Sequence, residues 1–250
     1  MRGRNRNRGF TLIELLIVML IIGVLVGILV PTIARAVRTV RATRTRDLIR
    51  NLGLGLEAFK SDFGRYPPSN SESRYPRIGA EKLVYYLRGP GGTGWGVGAG
   101  GNMPPFPDTP RPTRTYGPYY QAEEDQLEFD NQIKRYVAFL DYFAPPGRVI
   151  YFRAERDSAG RTTYQWNDNN LNNRRDPYGR LNYATIQFFK DCVIKFTDSS
   201  SGTDYYYRDD YLLISPGQDG RFGAIQRLED GSIRLTTRDE GSYDDITNWN

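Results

Sequence analysis

From Phe10 to Val30 the chain runs for 21 residues with a single ionisable side chain, Glu14. At about 1.5 Å of rise per residue, a helix of that length spans roughly 30 Å, the thickness of a bilayer's hydrocarbon core. Lipid offers no hydrogen-bond partners, so every backbone N–H and C=O must be satisfied within the segment, and a helix does this. An ordinary membrane anchor meets the same description, but two features sharpen it. A signal peptide has its small-residue cleavage site after the apolar run, whereas here Gly9 precedes the run and follows Arg2, Arg4, Arg6 and Arg8. The second feature is Glu14 itself, because a carboxylate in an apolar helix costs on the order of 2–3 kcal/mol unless it finds a partner. A cut between Gly9 and Phe10 would create a cationic α-amino group. In a staggered bundle of such helices, Glu14 of one subunit meets the amine of the next. At an effective dielectric near 20 and ~4 Å, that pair is worth roughly 4 kcal/mol before desolvation. Glu14 then sets the register of assembly.

The run Gly9-Phe10-Thr11-Leu12-Ile13-Glu14-Leu15-Leu16 resembles the signal of type IV prepilins and type II secretion pseudopilins. The resemblance implies that a membrane peptidase cuts after Gly9 and that the new N-terminal Phe10 is methylated. Pro31 stands where that family's first helix has its kink. The same resemblance implies a bacterial inner-membrane protein crossing once, with its N-terminus cytoplasmic and its globular part periplasmic. Charge counting does not give that orientation, since four arginines precede the run and six follow it within about 20 residues.

The formal charge of +5 suggests a basic protein, yet four of those charges lie in the segment that cleavage removes. Six more arginines (Arg35, Arg38, Arg41, Arg44, Arg46 and Arg50) follow the apolar run. Residues 51–250 then hold 24 Lys/Arg against 27 Asp/Glu, a net of −3. A mildly acidic domain argues against nucleic acid as a partner. The arginine face over 35–50 suits anionic headgroups or acidic faces of neighbouring subunits, and equally an ordinary solvated helix face. The lone Cys192 excludes an internal disulfide, and its apolar flanks read as a buried strand. The absence of histidine removes the commonest general base and transition-metal ligand. No spacing singles out a catalytic pair from the acids, so the expectation is a protein that is not an enzyme.

Beyond Pro31 the pattern stays helical, with Ile33, Val37, Val40, Leu48, Leu52, Leu56, Phe59 and Phe63 recurring at threes and fours. Gly64 followed by Arg65-Tyr66-Pro67-Pro68 is a stop. One helix of about 80 Å is expected from Phe10 to Phe63. Residues 66–120 are rich in Pro and Gly and read as a long loop with a short helix near Ala80–Leu87. Strand-like runs follow at 136–153, 181–196, 205–214 and 231–237. The fold class expected is α+β, a long N-terminal helix packed on a small antiparallel sheet. Its organisation reads as a cleaved leader over 1–9, a membrane and assembly helix over 10–31, and an amphipathic continuation over 32–64. A globular domain over 65–250 follows, with a loop-rich insertion at about 69–170. The segment Asn167–Arg180 offers Asp168, Asn170 and Asn172 at calcium-loop spacing. It lacks the central glycine, and Gly179 stands where the closing acid belongs, so a turn-rich loop is the better reading.

A second resemblance lies near the C-terminus. Asp176-Pro177-Tyr178-Gly179-Arg180-Leu181-Asn182-Tyr183 is similar to a turn and strand of major pseudopilins. Ser215-Pro216-Gly217-Gln218-Asp219-Gly220 and Asp244-Asp245-Ile246-Thr247-Asn248-Trp249 resemble their closing loop over 215–249. The resemblance implies calcium held by Asp219, Asp244, Asp245 and Ser215. Three clustered acids repel one another unless a cation joins them, and calcium accepts six to eight oxygens with loose geometry.

The leading expectation is thus a pseudopilin, a structural subunit of a filament that drives protein export. Its expected partners are copies of itself, minor pseudopilins, the prepilin peptidase, an inner-membrane assembly platform and lipid. An extracellular type IV pilus subunit, or an envelope-tethered minor pilin acting as a ligand-binding module, is the alternative.

Overall fold

The structure, a computed structural model, describes residues 11–70, 76–95, 115–156, 162–169, 194–198, 202–205, 210–218, 220, 222, 224–227, 233–236 and 245–248. The chain divides into two units, Met1–Val40 and Arg41–Asn250. The boundary falls within α1, the 52-residue helix Leu12–Phe63.

In the first unit every side chain from Thr11 to Val40 is exposed. Pro31 lies inside the helix without ending it, although its missing N–H leaves one turn without its hydrogen bond. Beside it the Thr32 hydroxyl donates to the Ile28 carbonyl at 2.5 Å.

In the second unit the same helix buries one stripe: Thr45, Leu48, Ile49, Leu52, Leu56 and Phe59. These threes and fours put the apolar side chains on one face. The helix stops as expected. Gly64 adopts φ +71°, its N–H bonds the Lys60 carbonyl at 2.7 Å, and a left-handed residue of that kind is what glycine tolerates. Lys60 Nζ then donates to Asp210 at 2.9 Å and to the Tyr66 hydroxyl at 3.0 Å.

The remaining elements are α2 (Gly79–Arg88), β1 (Leu127–Asp130), β2 (Arg135–Phe139), β3 (Ile150–Arg153), β4 (Glu155–Arg156) and β5 (Thr162–Thr163). They continue with β6 (Ile194–Asp198), β7 (Gly202–Tyr205), β8 (Tyr211–Ser215), β9 (Ala224–Arg227), β10 (Ile233–Thr236) and β11 (Ile246–Thr247). Strands β11, β8 and β3 form a three-stranded antiparallel sheet, in that order, with Ile150 opposite Ile214 and Ser215 opposite Ile246. The other strands pair as hairpins. The expected α+β class is the one observed. The core joins the stripe of α1 to Leu83 and Leu87 of α2 and to Tyr151 and Leu213 of the sheet.

The region without a counterpart in the resemblance therefore contributes to the core. Helix α2 forms one residue longer at each end than its pattern predicts, and it is capped from a distance. Its N-cap residue, Ile78, offers no side-chain acceptor. Asn169 supplies one instead: its Oδ1 accepts from Ala80 N at 2.9 Å, while its Nδ2 donates to the Tyr151 carbonyl at 2.5 Å. Gly79 has to be glycine, because a Cβ there would lie 2.0 Å from the Tyr151 oxygen. Trp95 is fully buried, its indole N–H donating to the Tyr86 carbonyl at 2.9 Å. Backbone bonds of 2.6 and 2.5 Å join Trp95 to Tyr116, closing the ends of the glycine-rich stretch. Cys192 and the expected strand over 181–193 lie outside the described residues.

Candidate functional site

The helix start is where the sequence concentrates its unusual chemistry. Gly9 and Phe10 lie outside the described residues, and the description begins at Thr11. Glu14 Oε2 accepts from the Thr11 backbone N–H and from the Thr11 hydroxyl, both at 2.8 Å. The Thr11 oxygen in turn accepts from Glu14 N–H at 3.3 Å. This is a reciprocal capping box in which Thr-x-x-Glu satisfies donors that the first turn leaves orphaned. The carboxylate thus has a partner within its own chain. The motif was legible as T-L-I-E, but the sequence reading considered only a neighbour's amine as partner. Oε1 accepts no hydrogen bond among the described residues, so one oxygen remains for a cation.

Beyond the apolar run, the six arginines make no ion pair among the described residues, and Arg44 lies 5.8 Å over the Tyr142 ring. All but Arg41 are exposed. They form a basic belt on the helix.

The expected calcium residues are only partly described. Asp219 and Asp244 lie outside the described residues. Ser215 and Asp245 are buried, and the pairing of Ser215 with Ile246 brings the two ends of the closing loop together. The Ser215 hydroxyl donates to Asp141 Oδ2 at 2.7 Å and accepts from Gly217 N at 3.3 Å. Asp141 is a buried carboxylate that the sequence reading missed. Its Oδ1 accepts from Phe143 N at 3.1 Å and Gly147 N at 2.7 Å. The local signal was an Asp opening an Ala-Pro-Pro-Gly turn, but only the fold reveals its approach to Ser215, 74 residues away. Asn248 fastens the chain end to β8, its Oδ1 accepting from Leu213 N at 2.8 Å. Among the described residues no three His, Cys, Asp or Glu side chains cluster as metal ligands. The donors present are all oxygens, which suits a hard cation and not zinc.

The other calcium-like segment is described as far as Asn169. Trp166–Asn169 form a turn of 3-10 helix. Asp168 is buried and accepts from the Ser69 hydroxyl. Burial pushes its pKa up to about 6, with the Ser69 hydrogen bond opposing and Glu155 adding to the rise. With Asn169 occupied at α2, both residues serve the fold.

A family model for the prokaryotic N-terminal methylation motif matches residues 4–30. No curated protein and no solved structure matches the chain. The motif defines a class of proteins whose N-terminal signal is processed and methylated, and here it runs into an uncovered apolar helix followed by an α+β unit. The matched motif and the long apolar helix that carries it are similar to those of type IV pilin-like proteins.

Proposed function

We propose that the chain is a pseudopilin of the type II secretion kind, a filament subunit that assembles through its N-terminal helix to drive protein export. One observation carries the reading. The methylation motif leads into a helix whose side chains from Thr11 to Val40 are all exposed. Lipid covers that surface in the membrane, and copies of the same helix cover it in a filament. Cleavage after Gly9 frees the Phe10 amine, which is then methylated and pairs with Glu14 Oε1 of the next subunit. The capping box keeps the carboxylate at the helix start until that partner arrives. The arginine belt follows the membrane segment, where its cations suit anionic headgroups or acidic faces of neighbouring subunits. The N-terminus lies on the cytoplasmic side of the inner membrane and the second unit in the periplasm. Prepilin peptidase, an assembly platform and minor pseudopilins are the partners this role requires. Calcium, held by Asp219, Asp244, Asp245 and Ser215, would offset the mutual repulsion of clustered acids. The buried Asp245 and Ser215, brought to one place by β8 and β11, support that assignment.

Two substitutions in the full chain separate capping from assembly. Glu14→Ala should lower sheared-filament yield at least tenfold at matched membrane levels. Thr11→Val, which keeps the carboxylate and loses about 1 kcal/mol of capping, should retain most of it. Wild-type yield from Glu14→Ala would sink the assembly role. Filaments on the cell surface at native expression would assign the chain to extracellular type IV pili instead.

A further inference from the structure

A cavity of about 170 Å³ lies where the C-terminal end of α2 meets the β1–β2 hairpin. Its chemistry comes from Tyr85, Arg88, Phe129, Lys134, Arg135 and Tyr136, and among the described residues no acid lines it. Three cations in one hollow stand out in a domain whose residues 51–250 sum to −3.

The cations are placed by the backbone. Arg88 sits in the last turn of α2, half-buried, with its guanidinium 4.7 Å over the Tyr136 ring. Gly92 makes room for it, since a Cβ there would come within 2.9 Å of the guanidinium nitrogen. Arg88 makes no hydrogen bond or ion pair among the described residues, although its donors form a fork suited to a planar anion. Lys134 closes the hairpin turn with φ 54°, a left-handed conformation in which glycine or asparagine is the ordinary occupant. The turn is fixed by Asp130 Oδ1, which accepts from Gln132 N at 2.8 Å and Ile133 N at 3.3 Å. Lys134 is exposed and has no ion-pair partner among the described residues. An uncommon backbone state is thus occupied by a lysine that no internal contact requires, and strain of this sort is concentrated at binding sites. Arg135 stands opposite Asp130 in register, which leaves Arg88 and Lys134 as the available pair.

The wall beside them is aromatic. Phe129 and Tyr136 meet edge to face with centroids 5.1 Å apart. Among the described residues of the second unit, only Leu54 and Phe129 are large hydrophobics left exposed. A volume below the roughly 300–1,000 Å³ of drug-sized sites suits a single ring. The exposed Phe129 ring, beside two cations without ion-pair partners among the described residues, matches a ligand that is apolar on one face and anionic at its edge.

We propose that this cavity binds a uronate residue of an anionic polysaccharide. Its carboxylate lies on Arg88 and Lys134, and its pyranose ring lies on the aromatic wall. A nucleic-acid strand fits less well, because residues 51–250 carry a net charge of −3, which repels a polyphosphate backbone. The site stands independently of the filament reading.

The test uses the full chain in detergent micelles, titrated with trigalacturonate. Saturable binding should be at least tenfold tighter than for neutral galactotriose, and at least fivefold tighter than for a hexaglutamate peptide or an oligothymidylate. Arg88→Gln should weaken it at least tenfold. Lys134→Gly is the decisive variant, since glycine accepts the left-handed backbone and the melting temperature should hold or rise, while affinity falls at least fivefold. The proposal is overturned if galactotriose, hexaglutamate or oligothymidylate binds as tightly as trigalacturonate. It is equally overturned if Lys134→Gly binds as wild type.

Discussion

The two parts of α1 are the same secondary structure held for different reasons. From Thr11 to Val40 every side chain is exposed. Over the apolar run, which ends at Val30, a backbone in lipid has nowhere to place its hydrogen bonds but within the helix. From Arg41 onward the sequence is more polar, and a stripe from Thr45 to Phe59 is buried against the rest of the unit. There the burial of apolar area sustains the helix. An apolar sequence can therefore mark the less packed part of a chain. Leu25 is 60 % exposed and Leu52 is fully buried, and hydrophobicity alone does not tell them apart.

The sharpest way to break this comparison is to truncate one side chain in each part. Phe59 is fully buried and packs edge to face on Tyr86 and Tyr119. Phe59→Ala should lower the unfolding free energy of the second unit by about 3–5 kcal/mol, measured by denaturant titration in micelles. Leu25→Ala should change it by less than about 0.5 kcal/mol. Comparable losses at both sites would mean that the first part is packed after all. Calcium should act on the second unit alone. A cation bound at 100 times its dissociation constant adds about 2.7 kcal/mol, so the thermal transition should rise between excess chelator and millimolar calcium. Asp219→Ala should abolish the rise, and an unchanged wild-type transition would rule the site out. The last effect is a pH dependence. With its folded pKa raised to about 6, Asp168 favours folding while protonated. That contribution is complete below about pH 4 and is lost as the pH climbs through 6, on the order of 3 kcal/mol. Asp168→Asn should match wild type at pH 4 and exceed it in stability at pH 7. A stability difference that stays constant between those pH values would refute the assignment.

What the sequence disclosed was local. The helix stop at Gly64, the α2 pattern and the apolar runs at β2, β3, β8 and β10 are all properties of neighbouring residues, and each of these forms close to where its period predicts. The rest depends on pairs that no local window contains. Asn169 caps a helix 89 residues away, and Asp141 meets Ser215 across 74 residues. Polar side chains of this kind look like loop residues until the fold gives them partners. The candidate site shows the same division. The processing signal was readable from composition and order, whereas the carboxylate beside Ser215 was not. Thr11 and Glu14 are the intermediate case, a local motif whose cost in lipid drew attention away from its nearest acceptor.

Trp95 and Tyr116 also bear on what this chain can accommodate. Their paired backbone bonds and the buried indole hold both ends of the stretch between them. Closure entropy rises only logarithmically, by about 0.6 kcal/mol for each doubling of loop length. An insertion between Trp95 and Tyr116 therefore adds a closure cost of only that size to the bonds that join them. The stretch is the natural port for an epitope tag or a fluorescent reporter, and a place where lineages can diverge while the fold behind it stays the same.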